Sequence, residues 1–467
     1  MNRDKTWLWA IVIAALCIRF FALGAFPLMD TTEARYGEMA RLMAETGNWV
    51  TPQFDYGIPF WGKPPLFTWM SAAGIEWFGL SEFAVRFPHW LAGIVVIGLM
   101  ALFARKLGFS ALKTSAVMAT CGIFLLSAGA VMTDMALTVG VTLAMTGFYR
   151  CWQGEKRWGY FGFVGLAIGL LAKGPLVLVL IGLAVVPWLI IQHGVKQAFV
   201  VLWQRFPLIT GSLVMLVIAL PWYLLAEQAT PGFLDYFIVG EHFKRFLVSG
   251  WEGDLYGSAH EEVRGTIWWF WCYSAAPWSI VLPVLLWRQR QRIKKLTQAG
   301  NGIISFLLLW LIAPMVLFTG AGNVLQAYVL PGTPALALLI AILLPEDLAI
   351  PRWFKVVSCI VPILILGCTI VLMNGGSDRK SDAVIFKQAD KDVSSFYVGK
   401  RPFSGQFYSL GKAKKLTGTE LLHDMDDFQL IGKSSQVKQF IASLNHACEL
   451  SFITENQRVL YRCYKES

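Results

Sequence analysis

Apolar runs of 17 to 22 residues recur along this chain from Trp7 to about Met373, and each, as a helix, is long enough to cross a hydrocarbon core of roughly 30 Å. Such a pattern suits one solvent, the bilayer, where every backbone N–H and C=O must be paired inside the protein. Composition agrees, with 56% hydrophobic and 15% charged residues and a mean hydropathy of +0.55, against roughly 25% charged in soluble domains. Eleven spans are expected, near residues 7–28, 88–107, 112–130, 134–150, 158–172, 174–192, 207–225, 266–287, 302–319, 326–345 and 353–373. The expected fold class is an all-α polytopic membrane protein over residues 1–375, followed by a small α+β domain over 376–467.

The net charge of +10 would suit nucleic acid in a soluble chain, but here its placement carries the information. Arg3 and Lys5, Arg105, Lys106 and Lys113, Arg150, Lys156 and Arg157, Lys196 and Arg205, and the run from Arg288 to Lys295 all fall on one side of the predicted spans. The positive-inside rule makes that side the cytoplasm. The long segments 29–87 and 226–265 and the tail are then extracytoplasmic, and no nucleic-acid partner is expected. A cleaved signal peptide ending near Ala22-Leu23-Gly24 is the other reading of the first span, but the run is too long and ten further spans follow. Arg19 within that span is expected to snorkel outward or, as the alternative, to pair with a carboxylate near the outer surface.

Cys17, Cys121, Cys272, Cys359 and Cys368 lie in apolar runs and Cys151 at a cytoplasmic edge, where they read as small hydrophobes. Cys448 and Cys463 share the outward tail, where an oxidising compartment would permit a disulfide. Two amphipathic helices on the outer membrane surface are expected between the first and second spans, over Glu33 to Glu45 and Pro64 to Phe78. In the tail, Ser395 to Val398 and Gln406 to Ser409 alternate like strands, Ser435 to Leu444 reads as helix, and a hairpin is expected around Glu455-Asn456.

The first outward segment opens Asp30-Thr31-Thr32-Glu33-Ala34-Arg35-Tyr36. Asp30 and Glu33 have the spacing of a capping box; alternatively a carboxylate here faces a cavity between helices, where it takes a proton or orients a cation. Further on, Trp61-Gly62-Lys63-Pro64-Pro65 presents a lysine between rigid residues beside the membrane, which suits an anionic lipid headgroup or ordinary snorkelling. Asp134, Lys173 and Glu241-His242-Phe243-Lys244-Arg245 lie at the outer ends of spans or in the second outward segment. Singly each reads as a solvated helix end; together they form a cation-rich cluster able to stabilise a phosphate that gains charge as it leaves. Tyr328 at the outer entry to the tenth span reads as an aromatic-belt residue or as a phenol that hydrogen-bonds the donor.

In combination, Glu33-Ala34-Arg35-Tyr36 with Glu38-Met39-Ala40-Arg41, the Gly-Asn-Trp-Val-Thr-Pro run at 47–52, Lys63-Pro64-Pro65, Lys173-Gly174, Glu241-His242 with Arg245-Phe246, and Tyr328 with Leu330-Pro331 resemble the GT-C membrane glycosyltransferases. The likeness is to bacterial aminoarabinose transferases that modify lipid A and to their relatives, the protein O-mannosyltransferases. It runs in order from about residue 20 to 345. It implies inverting transfer of a sugar from undecaprenyl phosphate, with 4-amino-4-deoxy-L-arabinose as the candidate sugar, to lipid A or another lipopolysaccharide component at the periplasmic face of the bacterial inner membrane. Lys63 and Arg245 are then expected to hold the donor phosphate with Lys173 and Tyr328 nearby, and Asp30 or Glu33 to be the carboxylate at the reaction centre. Arg35, Tyr36, Asp134, Glu241 and His242 would line the cavity.

The motifs call for no cofactor and leave divalent metal open. Two departures stand out: the family's adjacent Asp-Glu pair is here Thr32-Glu33 with the aspartate displaced to Asp30, and the chain is shorter at its C-terminal end. The alternatives are the same donor chemistry with a protein or other periplasmic glycan as acceptor, or a lipid-linked-sugar flippase.

Overall fold

The structure, a computed structural model, describes residues 3–244, 253, 255–256, 262–298, 301–345, 350–422, 425–444 and 446–465. Every predicted span is largely helical, and the chain is a multi-pass membrane protein. Among the described residues six helical segments are long and apolar enough to cross a bilayer: Arg3–Ala25, Glu82–Lys106, Leu176–His193, Leu208–Ala229, Gln326–Leu343 and Arg352–Gly376. Two bent pairs, Thr266–Ser274 with Trp278–Arg288 and Arg290–Gln298 with Ile303–Phe318, raise that number to as many as eight.

Two expected spans are not single helices. The segment expected at 112–130 breaks at Thr120-Cys121 into α5 (Ala111–Ala119) and α6 (Gly122–Ser127). The one expected at 266–287 bends by 92° between its two helices, at Pro277, which cannot supply the helix N–H.

The centre of the bundle is the antiparallel pair α7 (Thr133–Trp152) and α8 (Arg157–Lys173). Gly140, Gly147 and Gly165 let their backbones touch: a Cβ added at Gly140 would lie 2.6 Å from the Gly165 carbonyl, and one at Gly147 2.7 Å from the Trp158 carbonyl. Small residues at the seam are how helices pack where lipid is as apolar as leucine. The consequence is positional, because the start of α7 meets the end of α8 and so Asp134 meets Lys173.

Arg19 does not snorkel, and among the described residues it forms no ion pair. Its Nε donates to the Ala128 carbonyl (2.6 Å) and its Nη2 to that of Leu126 (3.1 Å), satisfying acceptors that the end of α6 leaves open. The amphipathic elements form as α2 (Thr32–Thr46) and α3 (Leu66–Phe78). Between them a short hairpin pairs β1 (Gln53–Asp55) with β2 (Ile58–Pro59).

Beyond the helix Arg352–Val371 the chain builds a five-stranded mixed sheet, in the order β4 (Lys414–Lys415), β3 (Ser395–Val398), β5 (Asp427–Lys433), β7 (Arg458–Lys465), β6 (His446–Ile453). The β6–β7 hairpin turns where expected, and Cys448 and Cys463, opposite one another in it, are joined as a disulfide. The residues 406–409 are not a strand: they belong to or follow the helix Phe403–Tyr408, which Pro402 precedes, and four alternating residues are too few to fix a period. Replacing both cysteines by serine is expected to destabilise this sheet by about 3 kcal/mol, the loop-closure value for a loop of this length. Amide exchange of β6 and β7 reads the change, and a loss under about 1 kcal/mol would refute it.

Candidate active site

Lys173 is the last residue of α8 and is buried, yet it is charge-balanced: Nζ donates to Asp134 Oδ1 at 2.5 Å. Its ammonium also lies 4.2 Å from the ring centroid of Tyr328, within cation–π range. Tyr328 sits in the 3₁₀ turn Gln326–Gly332 and packs against Phe318, with ring centroids 4.6 Å apart and the planes tilted by 36°. Gly174 follows with φ +80°, and a Cβ there would come within 2.6 Å of the Phe237 ring and 3.0 Å of His242. Only glycine fits this apex.

That close approach brings in the second outward segment. His242, in the π-helical turn Asp235–Lys244, faces the Phe237 carbonyl through Nδ1 (2.8 Å) and the Lys173 carbonyl through Nε2 (3.3 Å). Burial pushes its imidazole below the ordinary value, and the charge of Lys63 acts in the same direction. Its neighbour Glu241 accepts from Lys63 Nζ at 2.8 Å, and Lys63 Nζ donates also to the Gly62 carbonyl at 2.6 Å.

Tyr256 ties this region to α2. Its hydroxyl donates to the Pro59 carbonyl (2.9 Å) and accepts from the Trp61 N–H (3.1 Å), while its carbonyl accepts from Arg35 Nη1 (2.7 Å). Tyr36 is buried beside Phe67 and Phe60, with ring centroids 4.4 and 6.3 Å away.

The cluster expected from sequence is thus largely assembled: Lys63, Glu241, His242, Lys173, Asp134 and Tyr328 form one connected group, with Arg35 and Tyr36 joined to it through Tyr256 and Phe60. Arg245 lies outside the described residues. Neither Asp30 nor Glu33 caps α2, whose N-cap is Thr31 with no side-chain hydrogen bond. Asp30 turns to the C-terminal region, where it accepts from the Phe403 and Ser404 amides (3.0 and 3.2 Å) and from the Ser404 hydroxyl. Burial pushes its carboxyl above the ordinary range against those donors.

Glu33 is gripped by Arg86, a residue that sequence reasoning missed. Nε and Nη2 of Arg86 donate to its two carboxylate oxygens at 2.9 and 2.8 Å. Burial alone would raise the Glu33 carboxyl, but the charge and hydrogen bonds of Arg86 hold it below the ordinary value. Tyr256 was missed as well, since a lone tyrosine in a long loop carries no periodic signal. Among the described residues no group of three or more His, Cys, Asp or Glu is placed to hold a metal ion.

This helical scaffold has known counterparts. The family model for dolichyl-phosphate-mannose-protein mannosyltransferases matches residues 6–237. An undecaprenyl phosphate-alpha-4-amino-4-deoxy-L-arabinose arabinosyl transferase of Yersinia pestis (strain Pestoides F) is 30% identical over 349 residues, covering 70% of this chain and 58% of that protein. The corresponding protein of Enterobacter sp. (strain 638) is 29% identical over 367 residues, covering 74% and 61%. The chain therefore spans about three-fifths of the length of these curated relatives. The crystal structure of ArnT from Cupriavidus metallidurans bound to undecaprenyl phosphate superposes with a TM-score of 0.78 at 19% identity, over 98% of each chain. The fold is shared from end to end with that structure, and in sequence the chain is similar to the aminoarabinose transferases and the protein O-mannosyltransferases, which are GT-C membrane glycosyltransferases.

Proposed function

We propose that this protein is an inverting glycosyltransferase of the bacterial inner membrane, moving a sugar from undecaprenyl phosphate to lipid A or another lipopolysaccharide component at the periplasmic face. The sugar proposed is 4-amino-4-deoxy-L-arabinose, named in the relatives. The observation that carries the reading is the gathering of Lys63, Glu241, His242, Lys173, Asp134 and Tyr328 at one end of the bundle. The basic connection Arg150 to Arg157 lies at the opposite end of α7 and α8, which the positive-inside rule assigns to the cytoplasm.

In the reaction an acceptor oxygen attacks the anomeric carbon while the bond from that carbon to the donor phosphate oxygen breaks, its electron pair remaining on the phosphate. Lys63 and Arg245 are proposed to hold that phosphate. Lys173 and Tyr328 lie beside it, and Asp134 keeps the lysine charged and oriented.

The state of the carboxylates favours a phosphate acceptor over a hydroxyl. Asp30 is held by Ser404, Glu33 by Arg86, Asp134 by Lys173 and Glu241 by Lys63. A hydroxyl requires a base to take its proton, whereas a phosphate is already anionic at neutral pH and requires only positioning. Mass spectra of lipid A from cells with and without the gene test the proposal. A sugar-sized increment that disappears with the gene is expected, and identical spectra would eliminate lipid A as acceptor.

A further inference from the structure

We infer that Arg35 is a phosphate-binding residue of this site, its guanidinium gripping an oxygen of a lipid phosphate; the inference rests on the glycosyl-transfer reading above. The argument is one of charge balance. Lys63 is paired with Glu241 at 2.8 Å, Lys173 with Asp134 at 2.5 Å and Arg86 with Glu33 at 2.8 Å. Each of these cations arrives with its own carboxylate. Arg35 does not: among the described residues it makes no ion pair. One of its five donors reaches the Tyr256 carbonyl, and its guanidinium carbon lies 5.1 Å from the Tyr36 ring centroid.

A second observation points the same way. The Nε of Arg35 is buried and has no hydrogen-bond partner. Buried donors are nearly always satisfied, so this one marks a place where an acceptor from outside the chain belongs. Arginine is suited to the role, since its charge is permanent and its planar fork of donors fits two oxygens of a phosphate at once.

Its position suits a ligand of this site. The carbonyl of Tyr256 holds Arg35, while the hydroxyl of the same residue holds Trp61, two residues before Lys63. One bridging residue thus sets the distance between the unpaired guanidinium and the Lys63 loop. A neutral substrate would leave an uncompensated positive charge in a half-buried site; a phosphate ester cancels it. Both substrates of the proposed reaction carry phosphate, and the test separates them.

The experiment uses the full chain in lipid nanodiscs. Binding of undecaprenyl phosphate is measured directly, and transfer rates are followed against lipid A concentration, for the wild type and Arg35→Gln. Loss of a charge-assisted contact is expected to weaken one of the two by about 10- to 100-fold, with Arg35→Lys in between. Weakened undecaprenyl phosphate binding assigns Arg35 to the donor; a raised KM for lipid A assigns it to the acceptor. A wild-type measurement covers the event that the variant fails to fold: modification of Arg35 by phenylglyoxal, mapped by peptide mass spectrometry, is expected to be suppressed by whichever ligand it holds. Arg35 left unprotected by both in a wild type that transfers sugar would overturn the assignment alone. A wild type that neither binds undecaprenyl phosphate nor transfers sugar would overturn the reading beneath it.

Discussion

Replacing Lys63 with alanine is expected to lower sugar transfer by about 10²- to 10³-fold, the usual effect of deleting one preorganised donor to developing charge. Lys63 is presented by a rigid frame of Gly62, Pro64 and Pro65, and its ammonium is fixed by the Gly62 carbonyl and by Glu241. The side chain is 19% exposed while that of Glu241 is 4% exposed. The ammonium is therefore the edge of the pair that a phosphate in the cavity can reach. In the ground state Glu241 offsets its charge. In the proposed reaction the leaving phosphate gains charge as its bond to the sugar breaks, and the lysine would meet that charge without reorganising. Alanine also deprives a buried carboxylate of a partner, so a folding defect must be separated from a catalytic one. Glu241→Gln combined with Lys63→Ala does this, because it removes the carboxylate charge together with the ammonium. The double variant is expected to recover the melting temperature of the wild type and none of its activity. A double variant that regains transfer to within about tenfold of the wild type would show that Lys63 only neutralises Glu241.

The parts of this molecule that were readable from sequence are those written in local periodicity. Apolar runs gave the helices of the bundle, the helical period over Glu33 to Glu45 gave α2, and the alternation on either side of Glu455-Asn456 gave the β6–β7 hairpin. Long-range partnership was harder to read. Arg86 sits in the first turns of a span, where a lone cation looks like an ordinary helix end, and its partner Glu33 is 53 residues away. Asp30 and Glu33 are three apart, which suggests one helical face, but the helix begins at Thr32. Asp30 therefore points elsewhere, to amides 373 and 374 residues along the chain. The motif residues Lys63, Asp134, Lys173, Glu241 and His242 were legible as a set because each falls at an outward end of a span or in an outward segment, while Tyr328 joined them only through resemblance. Their pairing into Lys63–Glu241 and Lys173–Asp134 was not legible, because ion pairs between separate helices leave no trace in spacing.

Removing the guanidinium of Arg86 is expected to destabilise the fold by about 3 to 5 kcal/mol, the cost of breaking a buried ion pair from one side. Arg86 is fully buried and all five of its donors are used. Beyond the two bonds to Glu33, Nη1 donates to the Leu23 and Phe26 carbonyls at 2.9 and 2.7 Å, and Nη2 to that of Pro27 at 3.2 Å. One side chain on α4 (Glu82–Lys106) thus joins the end of α1 (Arg3–Ala25) to the start of α2, the helix that carries Arg35 and Tyr36. Arg86→Ala leaves three carbonyls and a carboxylate facing a cavity. Arg86→Lys is expected to recover less than half of the loss, because an ammonium has three donors and no fork. Acidity adds a further check. The Glu33 carboxyl is held below its ordinary value, so its contribution is present above the normal carboxylate range and is lost as pH falls through the lowered value. Thermal unfolding in detergent across that range is expected to show the wild type losing stability on acidification and Glu33→Gln losing less. Because α2 is aligned through this pair, Arg86→Ala is also expected to abolish transfer at temperatures where the chain remains folded. An Arg86→Ala chain that melts within about 1 kcal/mol of the wild type would mean that α1, α2 and α4 are held together by their apolar contacts alone.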